Sequence, residues 1–318
     1  MEFWSKLPEI FQKDVVKKLD FKSRCRFRKV AKYERALVDS CPVFLDWVNL
    51  EPRVGNQVYF SIEDSGALLN DKAYCTEDVL QDFLCIFKNP KSKLKQLTMD
   101  HYNFQRQPDA INDLFALLIS RMNSSGILQL KIQQLSFHYG EISETTFLNI
   151  INIMDSKFLN SLHVRKFPIK TRTTLNELVE TEQWKSLEDI RIQEKISNSF
   201  ELFLHCNMFR VTFHSLSSLN VWKIIQNFRK NPRPNFSFFE IYLMQEISIQ
   251  DVFSHFDVPL KNQPIEHYIS NLAQHTQHFK LEWSLELVLV VRMHKRYVKG
   301  AICRKEFLFE DFEEHEDL

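Results

Sequence analysis

The chain has 318 residues, enough to bury a sizeable core without disulfides or metal ions. Its composition is 44% hydrophobic and 26% charged, as in ordinary soluble globular proteins, and its formal net charge of zero argues against general nucleic-acid binding. Phe is abundant with 28 copies and Gly is scarce with five, so we expect aromatic-rich cores and few glycine-rich phosphate loops.

The N-terminal residues and the spacing of the cysteines indicate the cellular compartment of the protein. The first eight residues lack the apolar segment of a signal peptide, and the longest apolar runs are too short to span a bilayer. The cysteines stand at positions 25, 41, 75, 85, 206 and 303, with no Cys-x-x-Cys spacing. These features predict an intracellular chain, cytoplasmic, nuclear or both, with reduced thiols and no membrane contact.

Residues 5 to about 40 show the period of amphipathic helices. Apolar residues recur every four positions at Leu7, Phe11, Val15 and Leu19, and Ile10 and Val16 widen the stripe. Pro8 suits a first helical turn, and Asp20 is typical of the residue that caps a second helix. The segment therefore predicts a short helical cluster that ends at Pro42.

From about Leu94 onward, short strand-like stretches alternate with amphipathic segments. The predicted strands are Leu94 to Met99, Leu135 to Phe137, Leu159 to Val164, Leu187 to Ile192, Phe209 to Phe213, and Phe236 to Leu243. The predicted helices are Ala110 to Met122, Glu144 to Ser156, Thr173 to Glu182, Leu216 to Lys230, and Ile249 to Phe256. Residues Leu285 to Phe309 are typical of a closing pair of strands around a short turn.

The spacing of these strands indicates a repeat. Leu97, Leu135, Leu162, Ile190, Val211 and Ile241 mark successive strands at intervals of 21 to 38 residues. Alternating strands and helices favour parallel pairing, because each helix carries the chain back to the start of the next strand. We therefore predict an α+β or α/β fold class: a helical cluster, then a leucine-rich-repeat-like α/β domain. A compact two-layer α/β domain is the alternative.

Signals for chemistry are weak. No G-x-S-x-G, H-E-x-x-H, G-x-G-x-x-G or P-loop pattern occurs, and the histidines, including His267, His275 and His278, lack zinc-like spacing. Seven basic residues lie between Lys22 and Arg35, but a solvated helix face explains them better than a nucleic-acid site does. We therefore predict a non-catalytic chain without cofactor or metal. An enzyme with an unrecognised site is the less favoured alternative.

The N-terminal residues resemble the F-box. The resemblance rests on Leu7-Pro8-Glu9-Ile10-Phe11, on Val15-Val16, on Leu19-Asp20-Phe21-Lys22-Ser23-Arg24, on Arg28-Lys29-Val30 and on Ala36-Leu37-Val38-Asp39. It is closest to the kind of F-box protein that is expanded in nematodes. The downstream sequence is similar to the FTH domain of those proteins, with Phe87 to Ser92 and Leu94 to Leu97 similar to its opening.

This resemblance implies a role in ubiquitin transfer. F-box proteins dock a Skp-type adaptor, which connects them to a cullin and a RING subunit, and they present a protein substrate to that assembly. The resemblance and the apolar stripe together predict these adaptor-binding residues: Leu7, Pro8, Phe11, Val15, Val16, Leu19, Phe21 and Val30. The substrate and the residues that bind it stay unknown at this point.

The predicted organisation has three parts. Residues 1–45 form the F-box, residues 46–309 form an FTH-like repetitive α/β domain that binds a protein target, and residues 310–318 form an acidic tail. The leading hypothesis for function is a substrate receptor of an SCF-type cullin–RING E3 ubiquitin ligase. The alternative is a protein-binding scaffold that is not coupled to ubiquitination.

Overall fold

The computed structural model describes residues 4–53, 55–64, 66–100, 110–138, 142–165, 168–196, 199–256 and 275–307. The predicted acidic tail, residues 310–318, lies outside the described residues. The chain divides into two compact units, Met1–Leu187 and Glu188–Leu318. Among the described residues, no helix is both long enough and apolar enough to cross a membrane.

The first unit begins with a cluster of three short helices, which confirms the predicted helical N-terminus. A 3₁₀ turn at Trp4–Lys6 precedes α1 (Glu9–Lys18), α2 (Phe21–Arg28) and α3 (Lys32–Ser40). Asp20 caps α2 as predicted, because its carboxylate accepts the backbone N–H of Ser23 at 2.8 Å. The small core of this cluster contains Val16, Leu37, Val38 and Cys41, with Trp4 and Phe27 packed against it.

The sheet of the first unit has six strands in the order β3-β2-β1-β4-β5-β6. Strands β1 to β3 form an antiparallel meander that was not predicted from the sequence, and β1, β4, β5 and β6 run parallel. The strands are β1 (Phe44–Arg53), β2 (Gln57–Asp64), β3 (Ala67–Cys75), β4 (Lys93–Met99), β5 (Ile132–Phe137) and β6 (Ser161–Val164). The helices are α4 (Thr76–Cys85), α5 (Ala110–Ser125), α6 (Glu144–Asn152), α7 (Arg172–Glu180) and α8 (Glu182–Lys185).

The strand markers chosen from the sequence lie in register in this sheet. Leu97 is the direct partner of Leu135, which is the partner of Leu162, and Val48 of β1 extends the same row. All four side chains are fully buried. Phe115 of α5 and Phe147 of α6 pack against Phe137 of β5, so these helices cover the apolar face of the sheet.

The sheet of the second unit has the order β7-β8-β9-β12-β11-β10. Strands β7 to β9 run parallel, whereas β9, β12, β11 and β10 pair antiparallel. The strands are β7 (Asp189–Ile196), β8 (Met208–Phe213), β9 (Phe238–Leu243), β10 (His275–Leu281), β11 (Ser284–His294) and β12 (Tyr297–Arg304), and the helices are α9 (Ser218–Lys230) and α10 (Ile249–Phe253). The predicted closing pair of strands is therefore present as β11 and β12, with β10 as an additional strand.

The predicted fold class is confirmed: a helical cluster is followed by a mixed α/β sheet domain. Each of the six predicted strands lies on an observed strand, with its ends shifted by a few residues. The meander β1 to β3 and the antiparallel strands β10 to β12 do not follow the strand–helix pattern. The leucine-rich-repeat-like description of the domain thus stays a prediction.

Candidate protein-binding site

Helix α1 presents apolar residues on two different sides. Val16 is fully buried and faces the core of the helical cluster, together with the amide of Gln12. On another side, Phe11 and Val15 of α1 continue a four-residue spacing that begins at Leu7, two residues before the helix. Leu7, Phe11 and Val15 remain 43%, 59% and 43% exposed. A helix that served only its own chain would turn polar residues to this second side. The outward stripe therefore has the pattern of a surface that packs into the groove of another protein.

A hydrogen-bonded relay fixes α1 against its neighbours. The side-chain amide of Gln12 donates to the carbonyl of Trp4 at 2.7 Å, and the hydroxyl of Tyr33 on α3 donates to the Oε1 atom of Gln12. Gln12 is 1% exposed, so these two bonds satisfy a polar group that would otherwise be costly to bury. The relay joins the 3₁₀ turn, α1 and α3 and thereby orients the outward stripe.

The Leu-Asp-Phe-Lys-Ser-Arg segment has a structural explanation in the turn between α1 and α2. Asp20 binds both the backbone N–H and the hydroxyl of Ser23, and the Ser23 N–H lowers the pKa of this carboxyl. The guanidinium of Arg24 donates to the carbonyls of Lys17, Leu19 and Pro42 at 2.7, 3.0 and 2.8 Å. One side chain therefore ties the C-terminal end of α1 to Pro42, two residues after the end of α3.

Some of the basic side chains between Lys22 and Arg35 form ion pairs with acidic residues of the same chain. Arg28 binds Asp39 through two nitrogens at 2.6 and 3.1 Å, and Lys29 binds Asp82 of α4 at 3.1 Å. The aromatic residues of the run are also engaged, since Phe27 packs edge-to-face on Trp4 and Tyr33 binds Gln12. These side chains therefore stabilise the packing of the helices, and the aromatic rings do not form a surface on which nucleic-acid bases could stack.

The predicted adaptor-binding residues fall into two groups. Phe11 and Val15 are exposed on α1, Leu7 and Pro8 are exposed just before it, and Val30 is exposed in the turn between α2 and α3. Val16 and Phe21 are buried at 0% and 4%, and Leu19 is half-buried. In this conformation Val16 lies in the core of the helical cluster, and Phe21 is buried as the first residue of α2.

Two exposed residues beside the stripe were absent from the predicted set. Ile10 is 67% exposed and adjoins Phe11 on α1, and Tyr33 is 51% exposed above the relay to Gln12. The helical period already placed Ile10 at the margin of the stripe, so the sequence contained its signal. Tyr33 comes to α1 only through the packing of α3, which periodicity along one helix does not reveal.

Reactive groups are mostly withdrawn from solvent. Five of the six cysteines are buried and Cys75 is exposed. Burial raises the pKa of the Cys85 thiol to about 11, and it also raises the pKa of Cys25, Cys206 and Cys303. These thiols are protonated at neutral pH and react slowly. No group of three or more His, Cys, Asp or Glu side chains arranged to hold a metal ion occurs within the described ranges.

Comparisons with known proteins identify two regions. The family model of the F-box domain matches residues 4–46, and the family model of the FTH domain matches residues 112–259. The first match covers the helical cluster, and the second runs from α5 past α10. The second match begins after Phe87 to Leu97, so the resemblance of that stretch to the opening of an FTH domain stays a prediction. No curated protein and no solved structure shows a significant match to the chain.

Proposed function

Because the chain is an F-box protein with a C-terminal FTH domain, we propose that it is a substrate receptor of an SCF-type cullin–RING E3 ubiquitin ligase. In this role the F-box at residues 1–45 binds a Skp-type adaptor, and the α/β domain at residues 46–309 holds a protein target. The chain itself is a non-catalytic subunit of the ligase. In this role it works inside the cell, in the cytoplasm, the nucleus or both.

The observation that supports this proposal most directly is the outward stripe on α1. Burying a Phe or Val side chain contributes about 1.5–3 kcal/mol, so Phe11 and Val15 together supply a substantial part of a docking energy. Such a stripe fits an apolar groove, with contacts repeated at i and i+4. The strands β4 to β6 follow one another in a parallel row, and we propose that this leucine-rich-repeat-like arrangement serves as the scaffold of the target-binding domain.

Co-purification with a recombinant Skp-type adaptor tests the proposal. The test variant combines Phe11→Ala and Val15→Asp, which remove apolar area and place a charge in the stripe without disturbing the core, since both side chains are exposed. Leu128→Asp is the matched control, because Leu128 is 88% exposed and lies outside the helical cluster. We expect the wild type and the control to form a one-to-one complex and the test variant to lose at least about a hundredfold in affinity.

The two candidate functions diverge at the next step. If the adaptor complex recruits a cullin–RING assembly and supports ubiquitin transfer to a bound protein, the receptor role stands. If the adaptor binds but no cullin is recruited, the chain is a scaffold that is not coupled to ubiquitination. A folded wild-type chain that fails to bind the adaptor, or a test variant that binds as well as the wild type, contradicts the assignment of the stripe.

A further inference from the structure

Strand β4 begins with charged residues on the face that is apolar further along the strand. Lys93 and Lys95 lie four and two residues before Leu97 and point to the same face, because side chains alternate along a strand. Leu97 is fully buried, whereas both lysines are exposed. The apolar face of the sheet in the first unit therefore ends in a basic margin where β4 begins.

A cavity of about 500 Å³ lies at this margin. Strand β1 contributes Phe44, whose side chain is 58% exposed and whose direct partner on β4 is Lys93. The turn before β6 contributes Lys157, which is exposed, and Phe158, which is half-buried. Aromatic rings and ammonium groups thus line the same cavity and are accessible to solvent.

A hydrogen-bonded turn fixes Phe158 beside the lysines. The Oδ1 atom of Asp155 accepts the backbone N–H of Lys157 at 3.0 Å, and the carbonyl of Asp155 accepts the N–H of Phe158 at 2.9 Å. The Nζ atoms of Lys93 and Lys131 lie 4.8 and 5.2 Å from the centre of the Phe158 ring. One aromatic ring therefore holds two ammonium groups near each other.

The lysines around this cavity lack acidic partners. Lys93, Lys95 and Lys157 form no ion pair with any acid in the described part of the chain. Lys131 donates a hydrogen bond to the carbonyl of Pro90, which carries no net charge. Like charges that share one ring repel each other, and a carboxylate from outside the chain would remove this repulsion. Local arrangements that oppose stability in this way concentrate at functional sites.

Two acids line the other end of the cavity. They are Asp46 of β1 and Asp64 of β2, and both have interactions of their own within the chain. The cavity is therefore polarised, with acids on β1 and β2 and lysines on β4 and in the turn before β6. A carboxylate of a ligand is favoured at the lysine end and opposed at the acidic end.

We propose that this lysine cavity, defined by Phe44, Lys93, Lys95, Lys157 and Phe158, binds a segment of a partner protein that is acidic at one end and carries a large apolar side chain. The carboxylates bind at the lysine end, and the apolar side chain packs on Phe44. The distance from β1 to the turn before β6 is three strand spacings or about 14 Å, which an extended segment of about four residues spans. As the surface that recognises the ubiquitination target, the cavity rests on the proposed function, but its affinity for such a peptide does not.

The lining of the cavity favours a protein segment over a nucleic acid or a free phosphate. A nucleic acid carries a phosphate at every nucleotide, so some of its charge would meet Asp46 and Asp64. Domains that bind nucleic acids are typically strongly basic, whereas this chain has a formal net charge of zero. A free phosphate would leave the exposed ring of Phe44 uncovered. A peptide with carboxylates and an apolar side chain matches both kinds of lining residue.

Fluorescence anisotropy with the full-length chain tests the proposal. The probe is a labelled peptide of about eight residues, with glutamates in its first half and a phenylalanine followed by serines in its second half. Three further probes replace the glutamates by glutamines, replace the phenylalanine by alanine, or are single-stranded oligonucleotides of thymidines. Each probe is also measured on a protein in which the acids of residues 310–317 are replaced by their amides, because this acidic end is a potential competitor.

The charge variant is Lys93→Gln with Lys157→Gln. Its control, Lys223→Gln with Lys230→Gln, removes the same charge from exposed positions on α9. We expect the wild type and this control to bind the glutamate peptide at least about tenfold more tightly than the glutamine peptide, with an affinity that falls as salt rises. The charge variant loses about fivefold or more in affinity for the glutamate peptide.

The apolar variant is Phe44→Ala, and its control is Leu285→Ala, because Leu285 is 89% exposed and lies in the second unit. We expect Phe44→Ala to lose about threefold or more, and the control to bind as the wild type does. The peptide with alanine in place of phenylalanine should bind the wild type and Phe44→Ala equally, since the contact between the two rings is then absent from both complexes. The replaced side chains are exposed, so all variants should stay folded, which thermal unfolding checks.

Several outcomes overturn the proposal. They are absence of binding in both the wild type and the protein with the amidated end, a charge variant that binds as the wild type does, an equal loss in its control, and tighter binding of the oligonucleotide. A Phe44→Ala protein that binds as tightly as the wild type overturns the apolar contact. Adaptor binding is measured on the same proteins. A chain that binds the adaptor but not the peptide overturns this proposal alone, whereas a chain that binds the peptide but not the adaptor contradicts the receptor role alone.

Discussion

Arg24 is the side chain that most directly links the fold of the helical cluster to the orientation of its outward stripe. Its guanidinium donates to the carbonyls of Lys17, Leu19 and Pro42, and these bonds close the end of α1 onto the end of α3. Burial lowers the pKa of the Arg24 guanidinium, but this group remains protonated at neutral pH. The substitution Arg24→Ala removes all three hydrogen bonds and leaves the rest of α2 intact.

The expected cost follows from the kind of bond and its surroundings. A hydrogen bond from a charged donor contributes about 1.5–3 kcal/mol, but Arg24 is half-buried, so water replaces part of the lost bonding. We therefore expect a loss of about 2 kcal/mol, confined to the helical cluster. That loss corresponds to about a thirtyfold rise in the fraction of molecules in which α1 is open.

Amide hydrogen exchange measures this opening directly. In the Arg24→Ala protein we expect the amides of α1 to exchange about thirty times faster, while those of strands β4 and β5 keep their wild-type rates. Arg26→Ala is the control, because Arg26 lies on the same helix with its side chain exposed. The adaptor affinity should fall in parallel with the exchange protection of α1. If the two variants exchange at the same rate, Arg24 does not hold α1 and the explanation of the motif is wrong.

Three further predictions concern the α/β part of the chain. At Gly300, an added Cβ atom would lie 2.2 Å from the ring of Phe239, so we expect Gly300→Ala to destabilise the protein by about 1–3 kcal/mol in urea unfolding, with Phe239→Leu partly restoring the stability. For Glu144, the hydrogen bond from Thr174 lowers the carboxyl pKa from 4.5 to about 2, so the carboxylate stabilises the fold fully above pH 4.5 and loses this effect as the pH falls through 2. The difference in unfolding free energy between the wild type and Glu144→Gln should therefore shrink between pH 4.5 and pH 2. Under native conditions a thiol reagent should modify Cys75 rapidly and the five buried cysteines slowly, and Cys75→Ser should abolish the fast phase.

Each of these three predictions has an outcome that would contradict it. A Gly300→Ala protein as stable as the wild type would mean that the Phe239 ring moves aside freely. A constant stability difference across the acid range would exclude the charge of Glu144 as its source. Two or more fast thiols would show that part of the core opens readily in the native state.

The sequence alone determined the local elements of this protein. Asp20 and the following Ser23 specify a helix start, because a short polar side chain satisfies N–H groups that the helix leaves free. Alternating apolar residues specified β4 to β9 and even placed Leu97, Leu135 and Leu162 in one row, because these strands are buried and their period is short. The meander β1 to β3 was not predicted, because apolar and polar residues do not alternate regularly along β1 and β2.

Only the tertiary structure decided which side of each element meets solvent and which strands become neighbours. Val15 and Val16 adjoin in the sequence, yet one is 43% exposed and the other fully buried, because the packing of α3 selects the inward side of α1. Local periodicity encodes helices and strands, whereas strand order and burial depend on contacts between distant residues. These contacts decide which apolar side chains of α1 remain on the surface as the outward stripe.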